Sequence, residues 1–204
     1  MTAYTTTTMA QIGSFQTGLS ASKDKLQGGE TAFYAIDVTS TRDGHIDWNP
    51  DSLKEVHPTS STDRYQIQPG DIVFTLLTPP RAVLINDTPL ATPAIVVGST
   101  ARFRVQSPNA APGYIAWLFN QPRMESDVTK RAKGIAIQFI KIDDLGSIEI
   151  QLPPIAKQRQ IEHVWQLQQR VQKLERARLE HTQEQHRGMN HELLNQLTSQ
   201  SKGH

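Results

Sequence analysis

QLPPIAKQRQIEHVWQLQQRVQKLERARLEHTQE, residues 151–184, is where the chain changes character: mixed, turn-rich text ends at a proline pair and helix formers follow almost without interruption. Proline suits a helix's first turn, where its missing N–H had no partner and its φ is already helical. Pro154 therefore opens a helix, while Leu152 and Pro153, each preceding a proline, stay extended. Val164, Leu167, Val171 and Leu174 then recur at spacings of three and four, a seam of two heptads that Ile161 and Trp165 widen. Such a stripe needs a partner. Arg178, His181 and Gln185 carry the same register through a polar stretch, after which Met189, Leu193, Leu194 and Leu197 restore an apolar face. Apolar ends around a polar middle suit two copies crossing antiparallel near Leu179; a parallel pair stays open. A helix over 155–198 would be roughly 65 Å long, and Gly188 would cost it about 1 kcal/mol or interrupt it.

Working back from the proline pair, GIAIQFIKIDDLGSIEIQLPP (134–154) reads as two strands around an Asp-Asp-Leu-Gly turn. APGYIAWLFNQP (111–122) is a short helix bounded by Pro112 and Pro122. RAVLI, AIVVG and ARFRV are short strands, and alternation in the last puts Arg102 and Arg104 on the face opposite Phe103. In YQIQPGDIVFTLL (65–77) a Pro-Gly-Asp turn leads into a buried strand, and TAFYAIDVTS (31–40) is another strand, running into the Asp43-Gly44 and Asn49-Pro50 turns. Residues 1–30 are rich in Thr, Ser, Gly and Gln, with one short strand in IGSFQTGLSAS. The expected fold is α+β: a mixed domain of short strands over 1–152, a coiled-coil helix over 153–198 and a disordered tail over 199–204.

Composition narrows the function by exclusion. The 204 residues contain no cysteine, which removes disulfides, thiolate metal sites and cysteine nucleophiles together. No apolar run approaches the ~20 residues of a membrane span, and MTAYTTTTMAQIG lacks the basic flank and apolar core of a signal peptide. A cytoplasmic protein without a membrane partner is the expectation. Net charge is +1 overall, yet residues 98–133 set Arg102, Arg104, Arg123, Lys130, Arg131 and Lys133 against only Glu125 and Asp127. That segment is a candidate phosphate-binding face or an ordinary solvated surface.

Catalytic motifs fail in turn. TPPR and LPPI lack the Asn or Asp before the prolines, and the aromatic after them, that an amino-methyltransferase loop needs. No Gly-rich phosphate or adenosylmethionine loop is present, NPDSLKEV lacks the second carboxylate of a nuclease site, and VGSTA lacks a glycine of the nucleophile elbow. His181, His186 and His191 step five residues at a time, so successive imidazoles point about 140° apart and cannot share a metal.

IGSFQTGLSASKDKLQGGETAFYAIDVT, IQPGDIVFT, APGYIAWLFNQP and above all IQFIKIDDLGSIEIQLPPIAKQRQI resemble, in order and spacing, a target recognition domain and helical spacer of the specificity subunit (HsdS) of type I restriction-modification systems. The resemblance covers roughly residues 11–180. It implies a non-catalytic DNA reader, with no cofactor of its own, that binds half of a bipartite, interrupted target on double-stranded DNA. Methyltransferase subunits carrying S-adenosylmethionine, and in some systems a restriction subunit, would dock onto it. Relatives carry two recognition domains with paired helices; one domain and one helical region here look like a half-subunit, expected to homodimerise through Ile161, Val164, Leu167, Val171, Leu174, Leu193 and Leu197 or to join a second half. For DNA contact the chemistry of guanine, adenine and phosphate recognition singles out Arg102, Arg104, Lys130, Arg131 and Lys133, with Gln138 and Lys23 beside them; Arg123 could equally cap the helix ending near Asn120. Two other readings stay open: an adaptor for a different phage-defence methyltransferase or nuclease, and an assembly protein without specific DNA contacts.

Overall fold

The computed structural model describes residues 4–41, 44–134 and 138–201, with side chains as far as His191. Asp43 of the first turn and residues 135–137 of the penultimate strand lie outside the described residues. In chain order the elements are β1 (Thr5–Thr8), α1 (Met9–Ile12), β2 (Gly13–Thr17), α2 (Lys23–Leu26), β3 (Phe33–Ile36), β4 (Lys54–Val56), β5 (Asp71–Thr75), β6 (Ala82–Leu84), β7 (Ala94–Val96), β8 (Thr100–Val105), α3 (Pro112–Phe119), α4 (Pro122–Thr129), α5 (Ile142–Gly146), β9 (Glu149–Leu152) and α6 (Ile155–Ser201). The mixed α+β domain and the long C-terminal helix are as expected.

An antiparallel sheet of order β2-β8-β5-β6 is the centre of the domain. Its strands alternate, so each face builds a separate core. On one face Phe15, Phe74 and Phe103 cluster, and Phe74 meets Phe119 of α3 edge-on with ring centroids 4.9 Å apart. Val73 and Val83, cross-strand partners on the other face, join a second core with Ile36, Val56, Ile95 and Val96 of the sheet β4-β3-β7. In that sheet β3 pairs antiparallel with β4 and parallel with β7.

Local departures from the sequence reading follow from the same backbone preferences. Pro122 bounds α3, which ends at Phe119 as expected, and in addition occupies the first turn of a second helix, α4, the position where a proline costs least. The Asp-Asp-Leu-Gly segment is the short helix α5, not a turn between strands: coiling buries Leu145, and Asp143 and Asp144 fall in the first turn, where the peptide dipoles favour negative charge. Among the described residues, the segment before it pairs through bridges from Phe139 to Leu77 and to Lys133. The threonine run forms β1, which pairs with β9 in register Thr5↔Leu152 to Thr8↔Glu149, as β-branched residues favour.

The chain divides into two compact units, Met1–Glu162 and His163–His204. The first two turns of α6 therefore belong to the domain, although the helix continues through Gly188 without a break.

Candidate nucleic-acid interface

Lys130, Arg131, Lys133 and Gln138 come together where α4 ends and the chain folds back towards α5. All four are exposed. Lys130 and Gln138 line one open cleft with Pro122, Glu125, Ser126 and Thr129. The cations are held only loosely: Lys130 Nζ lies 3.3 Å from Asp127 Oδ1, Lys133 Nζ lies 3.8 Å from Asp144 Oδ2, and Arg131 Nη1 donates to Ser147 Oγ at 3.4 Å. Exposed pairs of this kind contribute at most about 1 kcal/mol. A phosphate oxygen can displace them.

Arg102 and Arg104 occupy a different place, on the sheet face with Asp71 and Val73. Arg102 is 9% exposed and its Nη1 donates to the Gln66 carbonyl at 3.1 Å; burial works against its charge, Arg104 beside it repels it, and Asp71 partly compensates. Arg104 makes a two-pronged pair with Asp71, Nε to Oδ1 and Nη2 to Oδ2 both at 2.7 Å. That hydrogen bonding holds the guanidinium more firmly protonated than usual, against its partial burial. Arg102 is thus largely enclosed by the sheet, whereas the Arg104 side chain, although paired, remains about a third exposed. Lys23 stands apart again, exposed at the start of α2, and Arg123 is exposed on α4. The end of α3 is closed by Asn120 itself: Nδ2 donates to the Ala116 and Ala82 carbonyls at 2.9 and 2.7 Å, and Oδ1 accepts from Ala82 N at 3.2 Å.

The root of α6 is tied to the start of α3 by two side chains whose type the helical pattern alone does not explain. Gln158 is fully buried: its Oε1 accepts from Ala111 N at 2.9 Å, and its Nε2 donates to the carbonyls of Asn109 at 2.8 Å and Pro153 at 2.7 Å. One turn on, Glu162 Oε1 accepts from Gly113 N at 3.1 Å. These bonds satisfy N–H groups that a helix start leaves without intrahelical partners. Burial pushes the Glu162 carboxyl up, opposed by the Gly113 N–H and Arg159. A Cβ on residue 113 would collide with the Glu162 carboxylate, so glycine there is what lets the carboxylate close on the helix end.

Beyond the root, the apolar seam is uncovered. Val164, Leu167, Val171 and Leu174 are 54%, 46%, 53% and 70% exposed, and Leu179 and Met189 are likewise open. Ile161, within the first unit, is half-buried. Leu193 and Leu197 are helical, but their side chains lie outside the described residues. Among the described residues no group of His, Asp and Glu could hold a metal, and no helix is long and apolar enough to cross a membrane.

No protein-family model matches the sequence, and the curated proteins yield no match. Solved structures do. A chain from a structure of complex assembly and conformational transition in a type I R-M system superposes with a TM-score of 0.61 at 16% identity, covering 87% of this chain and 41% of that one. The HsdS subunit from Thermoanaerobacter tengcongensis gives 0.58 at 18% identity, covering 85% and 39%. The type I restriction-modification S subunit from M. genitalium gives 0.52 at 15% identity, covering 81% and 39%. The chain spans about two fifths of the length of these structures. The mixed α+β domain, proline junction and long helix together have the fold of a type I restriction-modification specificity subunit.

Proposed function

We propose that this chain is a DNA sequence-specificity subunit of a type I restriction-modification system, reading one half of a bipartite target and pairing with a second copy. The observation that carries the pairing is the uncovered seam: four regularly spaced apolar side chains on one helix, each close to half exposed or more. A contiguous apolar stripe of this kind marks an interaction surface. A second copy supplies the same stripe, and two-fold symmetry makes the interface self-complementary. Two recognition domains related by that axis would read inverted half-sites. Methyltransferase subunits, which carry the S-adenosylmethionine, and a restriction subunit where present would dock on this assembly; the type I R-M neighbour solved as an assembling complex is in keeping with that.

Binding selection on randomised duplex DNA tests the reading. The full chain is expected to enrich two inverted half-sites separated by a fixed gap. Replacing Leu167 and Leu174 by Glu should abolish the dimer in sedimentation and leave single half-sites enriched. An asymmetric bipartite motif from the wild-type chain would refute the homodimer, and enrichment of nothing would leave an assembly protein. A second measurement addresses the cations. With Lys130, Arg131 and Lys133 replaced by Ala, affinity should fall and the slope of log K against log salt should flatten by roughly 0.9 for each phosphate no longer neutralised. An unchanged salt slope would return all three to ordinary surface.

A further inference from the structure

The backbone around Gln138 sets up a reading element that the basic residues do not supply. Phe139 bridges antiparallel to Leu77 on one side and to Lys133 on the other, and Lys133 and Phe139 exchange two backbone hydrogen bonds of 2.9 Å. One residue along, this register puts Thr78 directly across from Gln138. Thr78 N donates to the Gln138 carbonyl at 3.2 Å, and Thr78 Oγ1 donates to Gln138 Oε1 at 3.4 Å. On the other flank the same register puts Gly134, with φ of 120°, across from Gln138. Glycine has no side chain with which to cover the amide. Gln138 is exposed, and exposed Lys130 and Lys133 stand near it.

We infer that Gln138, oriented by Thr78, reads an adenine in the major groove. The inference rests on the DNA-reading function proposed above. A glutamine amide matches adenine's major-groove edge: Nε2 donates to N7 and Oε1 accepts from the N6 amino group. In the observed rotamer the Thr78 hydroxyl occupies one lone pair of Oε1, while the second lone pair and the Nε2 protons remain for the base. An amide already held this way has less rotamer freedom to lose on binding. The groove, about 12 Å wide, admits a two-stranded β-ribbon, and the neighbouring lysines fit the phosphates alongside. Thr78 is a positioning residue and makes no base contact itself.

The test is the same selection on randomised duplex DNA with the full chain carrying Gln138→Glu, Thr78→Val or Thr78→Ser. A carboxylate can only accept, and its match in the groove is the cytosine amino group. Gln138→Glu is therefore expected to move one position of the motif from adenine to cytosine. Thr78→Val should lower adenine preference at that same position on the order of tenfold, and Thr78→Ser, which keeps the hydroxyl, should retain it. Selection of the wild-type motif by Gln138→Glu overturns the assignment and leaves the DNA-reading function standing. If the wild-type chain itself enriches no sequence, that function falls and this assignment falls with it.

Discussion

Gln158→Leu is expected to destabilise the first unit by about 4 kcal/mol. Leucine is close to glutamine in size, so the change removes polarity and leaves the packing volume nearly intact. The Ala111 N–H and the Asn109 and Pro153 carbonyls would lose the partner that now satisfies them at 2.7 to 2.9 Å. Gln158 is fully buried, so water does not reach those groups from its side, and each one orphaned in the interior costs about 1–3 kcal/mol. For a unit of this size that loss lowers the thermal midpoint by on the order of 10 °C, measurable by circular dichroism on the full chain. A midpoint within about 2 °C of wild type would show the network to be dispensable. The consequence extends beyond stability. The same three bonds join the turn before α3 and the Pro153 carbonyl to the first turns of α6, and thus anchor the root of that helix in the domain.

Asp71→Ala is expected to cost about 3 kcal/mol, because it breaks a pair whose acid is fully buried. Asp71 accepts twice from Arg104 and once from Gln68 N at 2.9 Å. Removing it strands the Arg104 guanidinium beside Arg102, the like charge that already repels it across the same face. Removing both partners is milder than the two single losses added together: the double change Asp71→Ala with Arg104→Ala should fall short of their sum by about 1 kcal/mol or more. Urea denaturation of the three variants measures this. Strict additivity would mean that the pair contributes nothing specific.

These two networks lie at positions that local sequence marks only faintly. Gly70-Asp71 before an apolar strand reads as an ordinary turn, yet the Asp71 carboxylate fixes Arg104 on the neighbouring strand, 33 residues further along the chain. Alternation correctly sets Arg102 and Arg104 opposite Phe103, but that face of the sheet is itself covered by a second core. A period of two tells which residues share a face and is silent on whether anything lies over it. The basic segment 98–133 consequently divides: its arginines on β8 are partly or wholly buried and hydrogen-bonded within the domain, and its cations at the end of α4 are exposed. Thr78, which in sequence only precedes a proline pair without a catalytic motif, meets Gln138 across 60 residues of chain, a pairing no local pattern announces.

Most of the short strands, the helix that starts just after the proline pair and the apolar seam were legible in the linear chain, because they follow from local backbone preference and side-chain period; β1 and β4 were not. The end of the domain, the availability of each cation and the roles of Gln158, Glu162 and Thr78 emerged only in three dimensions. Burial and hydrogen-bond partnership are properties of segments brought together from distant parts of the chain. A helix can be read from its own residues; what holds its root cannot, since Ala111, Gly113 and Gln158 become neighbours only once α3 and the start of α6 have packed into the same unit.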